Sequence, residues 1–86
     1  MKYKSRFEPI RPLLNGIEQA TYEGMEHITP ASNVRVLRIG DKDEWVDVEY
    51  DWPDDAPTFH ATNDVMRQHG LELAKVRQER IHEPLR

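Results

Sequence analysis

The sequence predicts a single α+β domain whose elements run strand, helix, strand, strand, helix, strand. Three observations predict it. Residues 45–52 alternate strictly, with Val46, Val48, Tyr50 and Trp52 on one side and Asp47, Glu49 and Asp51 on the other. That is the period of a half-buried strand. Ile10, Leu13, Leu14, Ile17, Ala20 and Met25 recur at the spacing of one helical face. His69-Gly70-Leu71 has the form of a helix end, with glycine in the left-handed position and an apolar residue after it.

In chain order, Met1 to Phe7 alternates Tyr3, Ser5 and Phe7 with Lys2, Lys4 and Arg6, which predicts a short strand with a basic outer side. Pro9 and Pro12 end it, and either suits the first turn of a helix. The helix that follows contains Gly16 and Gly24, each costing up to about 1 kcal/mol relative to alanine. It is therefore expected to start late or to end near Gly24. Residues 29–33 form a loop. Val34 to Ile39 is a second strand, joined to the third by the turn Gly40-Asp41-Lys42-Asp43-Glu44.

The register of this hairpin follows from the apolar pattern. Pairing Ile39 with Trp45 pairs Leu37 with Asp47 and Arg35 with Glu49 on one face, and Val36 with Val48 and Val34 with Tyr50 on the other. A slip by one residue sets valines against acids. Residues 53–57 form a rigid acidic loop. A second helix is expected from Thr58 or Thr62, with Phe59, Val65 and Met66 buried and Thr62-Asn63-Asp64 as a capping sequence. The alternation of Leu71 and Leu73 predicts a final strand. Residues 79–86 are expected to be a charged tail.

This order, in 86 residues without internal repeats, is that of the ferredoxin-like split βαβ plan. Right-handed crossovers then place both helices on one face of a four-stranded antiparallel sheet, with the first and third strands central. The alternative is a three-stranded sheet carrying a long C-terminal helix, which the helix-forming residues of 71–77 favour by propensity.

Apolar residues make up 37% of the chain and charged residues 33%. There is no cysteine, so disulfides, thiolate metal sites and thiol nucleophiles are excluded, and a reducing cytoplasm is the expected compartment. No signal-peptide pattern or apolar run of membrane-spanning length occurs. The net charge of −4 is unevenly laid out. Between residues 41 and 55, eight carboxylates (Asp41, Asp43, Glu44, Asp47, Glu49, Asp51, Asp54 and Asp55) face Lys42 alone. Such a surface repels nucleic acid directly and attracts a basic protein, including one that itself handles nucleic acid.

Motifs for catalysis and cofactors are missing from the sequence. His27, His60, His69 and His82 form no His-x-x-x-His pair, Ser5 and Ser32 stand in no nucleophile elbow, and the four glycines form no phosphate-binding loop. Asp41 to Glu44 lacks the calcium-loop pattern, and carboxylates two apart on a strand, about 6.8 Å from one another, do not meet at one ion. No catalytic, cofactor or metal residue is assigned.

The candidate partner-binding residues are Leu37, Ile39 and Trp45, as an apolar patch on the outer sheet face, with Asp41, Asp43, Glu44, Asp47, Glu49, Asp54 and Asp55 as its acidic rim. The function expected is a small non-enzymatic interaction module. It would be an accessory protein of bacterial or phage type, inhibiting or regulating a basic, nucleic-acid-handling partner; self-association as a homodimer is a further use of the patch. The alternative is a small dimeric enzyme, or a protein binding a metal or small molecule on the open sheet face. An antiparallel first strand would set Lys2, Lys4 and Arg6 against Asp51, Glu49 and Asp47, leaving Asp41, Asp43, Glu44, Asp54 and Asp55 at the hairpin's two ends as the unanswered acid.

Overall fold

The computed structural model describes residues 1–27, 30–56, 59–75 and 78–81, with the side chains of 27, 59–63 and 80 outside the description. The elements are β1 (Lys2–Pro9), α1 (Gly16–His27), β2 (Ser32–Ile39), β3 (Val46–Asp51), α2 (Phe59–Gln68), β4 (Leu71–Leu73) and β5 (Glu79–Arg80). The sheet is antiparallel in the order β2-β3-β1-β4, and β5 also pairs with β1. β1 and β3 are therefore central, as expected. The chain does not adopt the long C-terminal helix of the alternative plan.

The alternations of β1 and β3 sort core from surface. Ser5, Phe7, Val46, Val48, Tyr50 and Trp52 are all buried, and Tyr3 packs against them. Ile17, Ala20 and Met25 of α1, Met66 of α2 and Leu71 of β4 complete one core. The hydroxyls of Ser5 and Tyr50 lie 2.5 Å apart inside it, so neither is left without a partner. Burial pushes the Tyr50 phenol well above its usual range against hydrogen bonding from Ser5 and Gln78, and it stays neutral. Tyr50 also stacks on Tyr3 and meets Trp52 edge-on, with ring centroids 6.4 and 5.9 Å away.

The first helix starts late, at Gly16, as the glycine cost allows, and the first part of the apolar stripe lies before it. Ile10 N–H donates to the Gly70 carbonyl at 2.8 Å, which carries the pairing of β1 past its last strand residue. The chain then bends at Ile10 and Arg11, turns at Leu14 and Asn15, and enters the helix at Gly16, whose φ is +79°. Ile10 and Leu14, expected on the buried face, are exposed instead. The helix runs past Gly24, which is buried because Met66 of α2 lies where its Cβ would be, with Sδ at 2.7 Å.

The second helix ends as predicted. His69 and Gly70 N–H groups donate to the carbonyls of Met66 and Arg67, and Gly70 has φ +81°. A Cβ there would meet Leu13 and Arg11 side chains. Gly70→Ala is therefore expected to destabilise the fold by about 1–2 kcal/mol, from the left-handed backbone and the displaced neighbours together. A urea-denaturation midpoint compared with wild type checks it. The expected capping sequence at Thr62 lies within α2, so the helix starts before it; Thr58 lies outside the described residues.

Two predicted features need correction. Residues 79–81 are not tail: Arg80 and Glu79 pair with Tyr3 and Lys4, and Ile81 N–H donates to the Lys2 carbonyl at 2.9 Å. The rest of the expected tail, 82–86, lies outside the described residues. The second correction is the hairpin register. Arg35 pairs with Glu49 and Val36 with Val48 as predicted, but Arg38 pairs with Asp47 and Ile39 with Val46. One extra residue, Leu37, bulges from β2, and a second bulge lies between Ser32 and Arg35, where Asn33 has φ +51°.

Candidate functional site: the outer sheet face and the hairpin turn

The bulge at Leu37 decides what the outer face presents. It puts Arg38 outward and turns Ile39 inward, where Ile39 packs on the core. Ile39 is therefore not part of an outer apolar patch. Leu37 remains outside at 40% exposure. Trp45 is half-buried because two guanidinium groups cover it, Arg6 at 4.1 Å and Arg38 at 5.5 Å from the ring centroid. The expected Leu37–Ile39–Trp45 patch thus reduces to one exposed leucine beside an arginine-covered indole.

The carboxylates of β3 are answered from within. Arg6, directly opposite Asp47, donates to both of its oxygens, Nε at 2.6 Å and a terminal nitrogen at 2.8 Å. These bonds hold the Asp47 carboxyl below the usual range, outweighing its partial burial. Burial pushes the Glu49 carboxyl up, but the hydrogen bonds from Arg35 and Lys2 outweigh it and its pKa is also lowered. Lys2 Nζ lies 3.2 Å from one Glu49 oxygen. Arg35 holds the other, with Nε at 3.0 Å and a second, shorter bond from its terminal nitrogen. Asn33 Nδ2 donates to Asp51 at 2.6 Å, and Lys4 pairs with Glu79 at 3.5 Å. The outer face is thus a ladder of cross-strand charge pairs.

The hairpin turn differs. Gly40 N–H donates to the Trp45 carbonyl and Asp43 N–H to the Gly40 carbonyl, each at 3.0 Å. Lys42 N–H donates to a Glu44 carboxylate oxygen at 2.6 Å. Asp43 takes φ +54°, a conformation aspartate and asparagine tolerate better than most residues. Asp41, Asp43 and Glu44 are all exposed, and none forms an ion pair among the described residues. Asp54 and Asp55 are likewise exposed and without an ion pair among the described residues. They follow the far end of β3, so the structure does not bring them together with the turn.

The remaining chemistry is sparse. Among the described residues no group of three or more histidine, aspartate or glutamate side chains converges as a metal site. His69 Nδ1 lies 4.0 Å from Glu23, bridging the two helices; the side chains of His27, His60 and His82 lie outside the described residues. A hollow of about 410 Å³ on the outer face is lined in part by Lys4, Arg6, Leu37, Arg38 and Asp47. No described helix is long and apolar enough to cross a membrane.

Sequence reasoning missed the roles of Arg38, Ile10 and Leu14. A signal for the first existed: Arg35 and Arg38 are three apart, while their partners Glu49 and Asp47 are two apart, which requires an extra residue in β2. No family model matches the chain, and no curated protein or solved structure matches it.

Proposed function

We propose that the chain is a ferredoxin-like split βαβ module that works without catalysis, binding a basic protein partner through its acidic hairpin turn. The sheet order β2-β3-β1-β4 with two helices supports that plan, which by itself carries no function because it hosts many. One observation carries the functional reading. Asp47, Glu49 and Asp51 each have a partner inside the sheet, whereas Asp41, Asp43 and Glu44 lie exposed on the hairpin turn with no cation paired to them among the described residues. Such carboxylates raise the rate and specificity of encounter with a basic surface. An inhibitor or regulator of a nucleic-acid-handling protein, bacterial or phage in type, fits that chemistry.

The test uses the protein that co-purifies with the full chain from its source cells. The triple variant Asp41→Asn, Asp43→Asn, Glu44→Gln keeps the turn's backbone and hydrogen-bonding geometry. It is expected to bind that partner about tenfold more weakly at low salt and to flatten the salt dependence. Equal affinity and equal salt dependence would overturn the reading, as would the absence of any co-purifying protein.

A small-molecule site on the outer face has one observation in its favour, the hollow beside Leu37 and Arg38, whose size suits a ligand. Its lining is charged, and Arg6 and Lys4 there are already committed to Asp47 and Glu79. This weighs against it.

A further inference from the structure

The apolar half of the binding surface is not on the sheet face. Leu14 is fully exposed, at 103% of its reference area, and Ile10 is half exposed at 50%. Both sit on the connection between β1 and α1, Ile10 at a bend that its hydrogen bond to Gly70 holds beside the start of β4 and Leu14 in the turn before the helix. A cleft of about 180 Å³ has Pro9, Pro12 and Leu13 on one side and Lys42 and Asp43 of the hairpin turn on the other. A second hollow, of about 360 Å³, shares the wall Arg11-Pro12-Leu13 with it and runs on past Leu14 to Ala20 and Glu23 of α1. The acidic turn and the exposed leucine therefore belong to one continuous end of the domain.

We propose that this end docks a basic amphipathic segment of a partner protein, its apolar side on Ile10 and Leu14 and its cations on Asp41, Asp43 and Glu44. This rests on the reading of the turn given above and adds the apolar anchor and the chemistry of the occupant. Charge decides between occupants. A second copy of the chain carries the same net charge of −4, and like charges oppose its approach. A segment with lysine or arginine beside its apolar residues meets both parts of the surface.

The probe is a synthetic helical peptide with leucine at every third or fourth position and lysine elsewhere, titrated into the isotope-labelled full chain. Amide shifts are expected at Ile10 to Leu14 and at Asp41 to Glu44 together. Leu14→Ser, which alters a fully exposed side chain and should leave the melting temperature unchanged, is expected to weaken binding about tenfold. Leu37→Ser, at the other exposed leucine among the described residues, should bind as wild type, and a peptide with glutamate in place of lysine should not bind. Shifts at the turn without shifts at Ile10 to Leu14, or equal binding by wild type and Leu14→Ser, overturn this inference and leave the acidic turn standing. Absence of shifts at the turn overturns both. Self-association of the chain that Leu14→Ser abolishes identifies a second copy as the occupant and overturns the choice made here.

Discussion

Tyr50→Ala is expected to remove about 3–5 kcal/mol from the stability of the fold. Tyr50 has no exposed surface, stacks on Tyr3 and meets Trp52 edge-on, and bonds to the buried Ser5 hydroxyl at 2.5 Å. Truncating a buried aromatic side chain costs about 3–5 kcal/mol from lost burial and the cavity left behind. A domain of 86 residues has a total stability of only about 4–13 kcal/mol, so the loss is a large share of it. Tyr50→Phe isolates the hydroxyl. It keeps the ring and leaves Ser5 short of a partner in the core, at an expected cost of about 1–3 kcal/mol. Urea unfolding of both variants, followed by tryptophan fluorescence, separates the two effects.

Glu49→Ala is expected to destabilise the protein by about 1–3 kcal/mol at neutral pH, the worth of charge-assisted hydrogen bonds lost without stranding their donors. The donors are not stranded because Lys2 and Arg35 are 39% and 70% exposed and can return to water, while Glu49 is 11% exposed. The pH dependence has a definite sign. In the unfolded chain Glu49 takes up its proton near its ordinary value of 4.5, and Asp47 near 3.8; in the fold both values are lower. As pH falls through that range the unfolded chain binds more protons, so the equilibrium moves towards it. The contribution of this pair is complete at neutral pH and is lost between about pH 4.5 and the depressed folded values. Glu49→Ala should therefore show a smaller drop in stability between about pH 7 and pH 3 than wild type. An equal drop in both proteins contradicts the role given to Glu49.

The central strands were legible because alternation there is unbroken. The pattern of Val46 to Trp52 set the buried face of β3, and Tyr3, Ser5 and Phe7 did the same for β1. The charges followed: with β1 antiparallel to β3, Lys2, Lys4 and Arg6 had to fall opposite Asp51, Glu49 and Asp47, and they do. Gly70 was legible as a helix end because a left-handed residue followed by leucine has few other uses.

What misled was local pattern overruled by non-local bonding. The spacing of Ile10, Leu13 and Leu14 is helical, yet the hydrogen bond from Ile10 to Gly70, sixty residues away, ties the start of this segment to the sheet, and the helix forms only from Gly16. The alternation of β2 continued past Val36 on paper, whereas the bulge at Leu37 shifts the register to keep Arg38 against Asp47 and Ile39 in the core. Both errors bear on the site. The first hid Ile10 and Leu14, which are exposed, and the second placed Ile39 outside, where it is not. Asp41, Asp43 and Glu44 of the turn form no ion pair among the described residues.

The claim at the centre is a division of labour between two sets of carboxylates, one holding the sheet and one facing outward. The most direct test measures melting temperature and partner affinity side by side for Glu49→Gln and for the triple turn variant Asp41→Asn, Asp43→Asn, Glu44→Gln. The predicted result is a lowered melting temperature for Glu49→Gln with partner affinity retained at temperatures where it is folded, and an unchanged melting temperature with about tenfold weaker binding for the turn variant. A turn variant that melts lower yet binds as wild type, or a Glu49→Gln protein of full stability that has lost the partner, would contradict it.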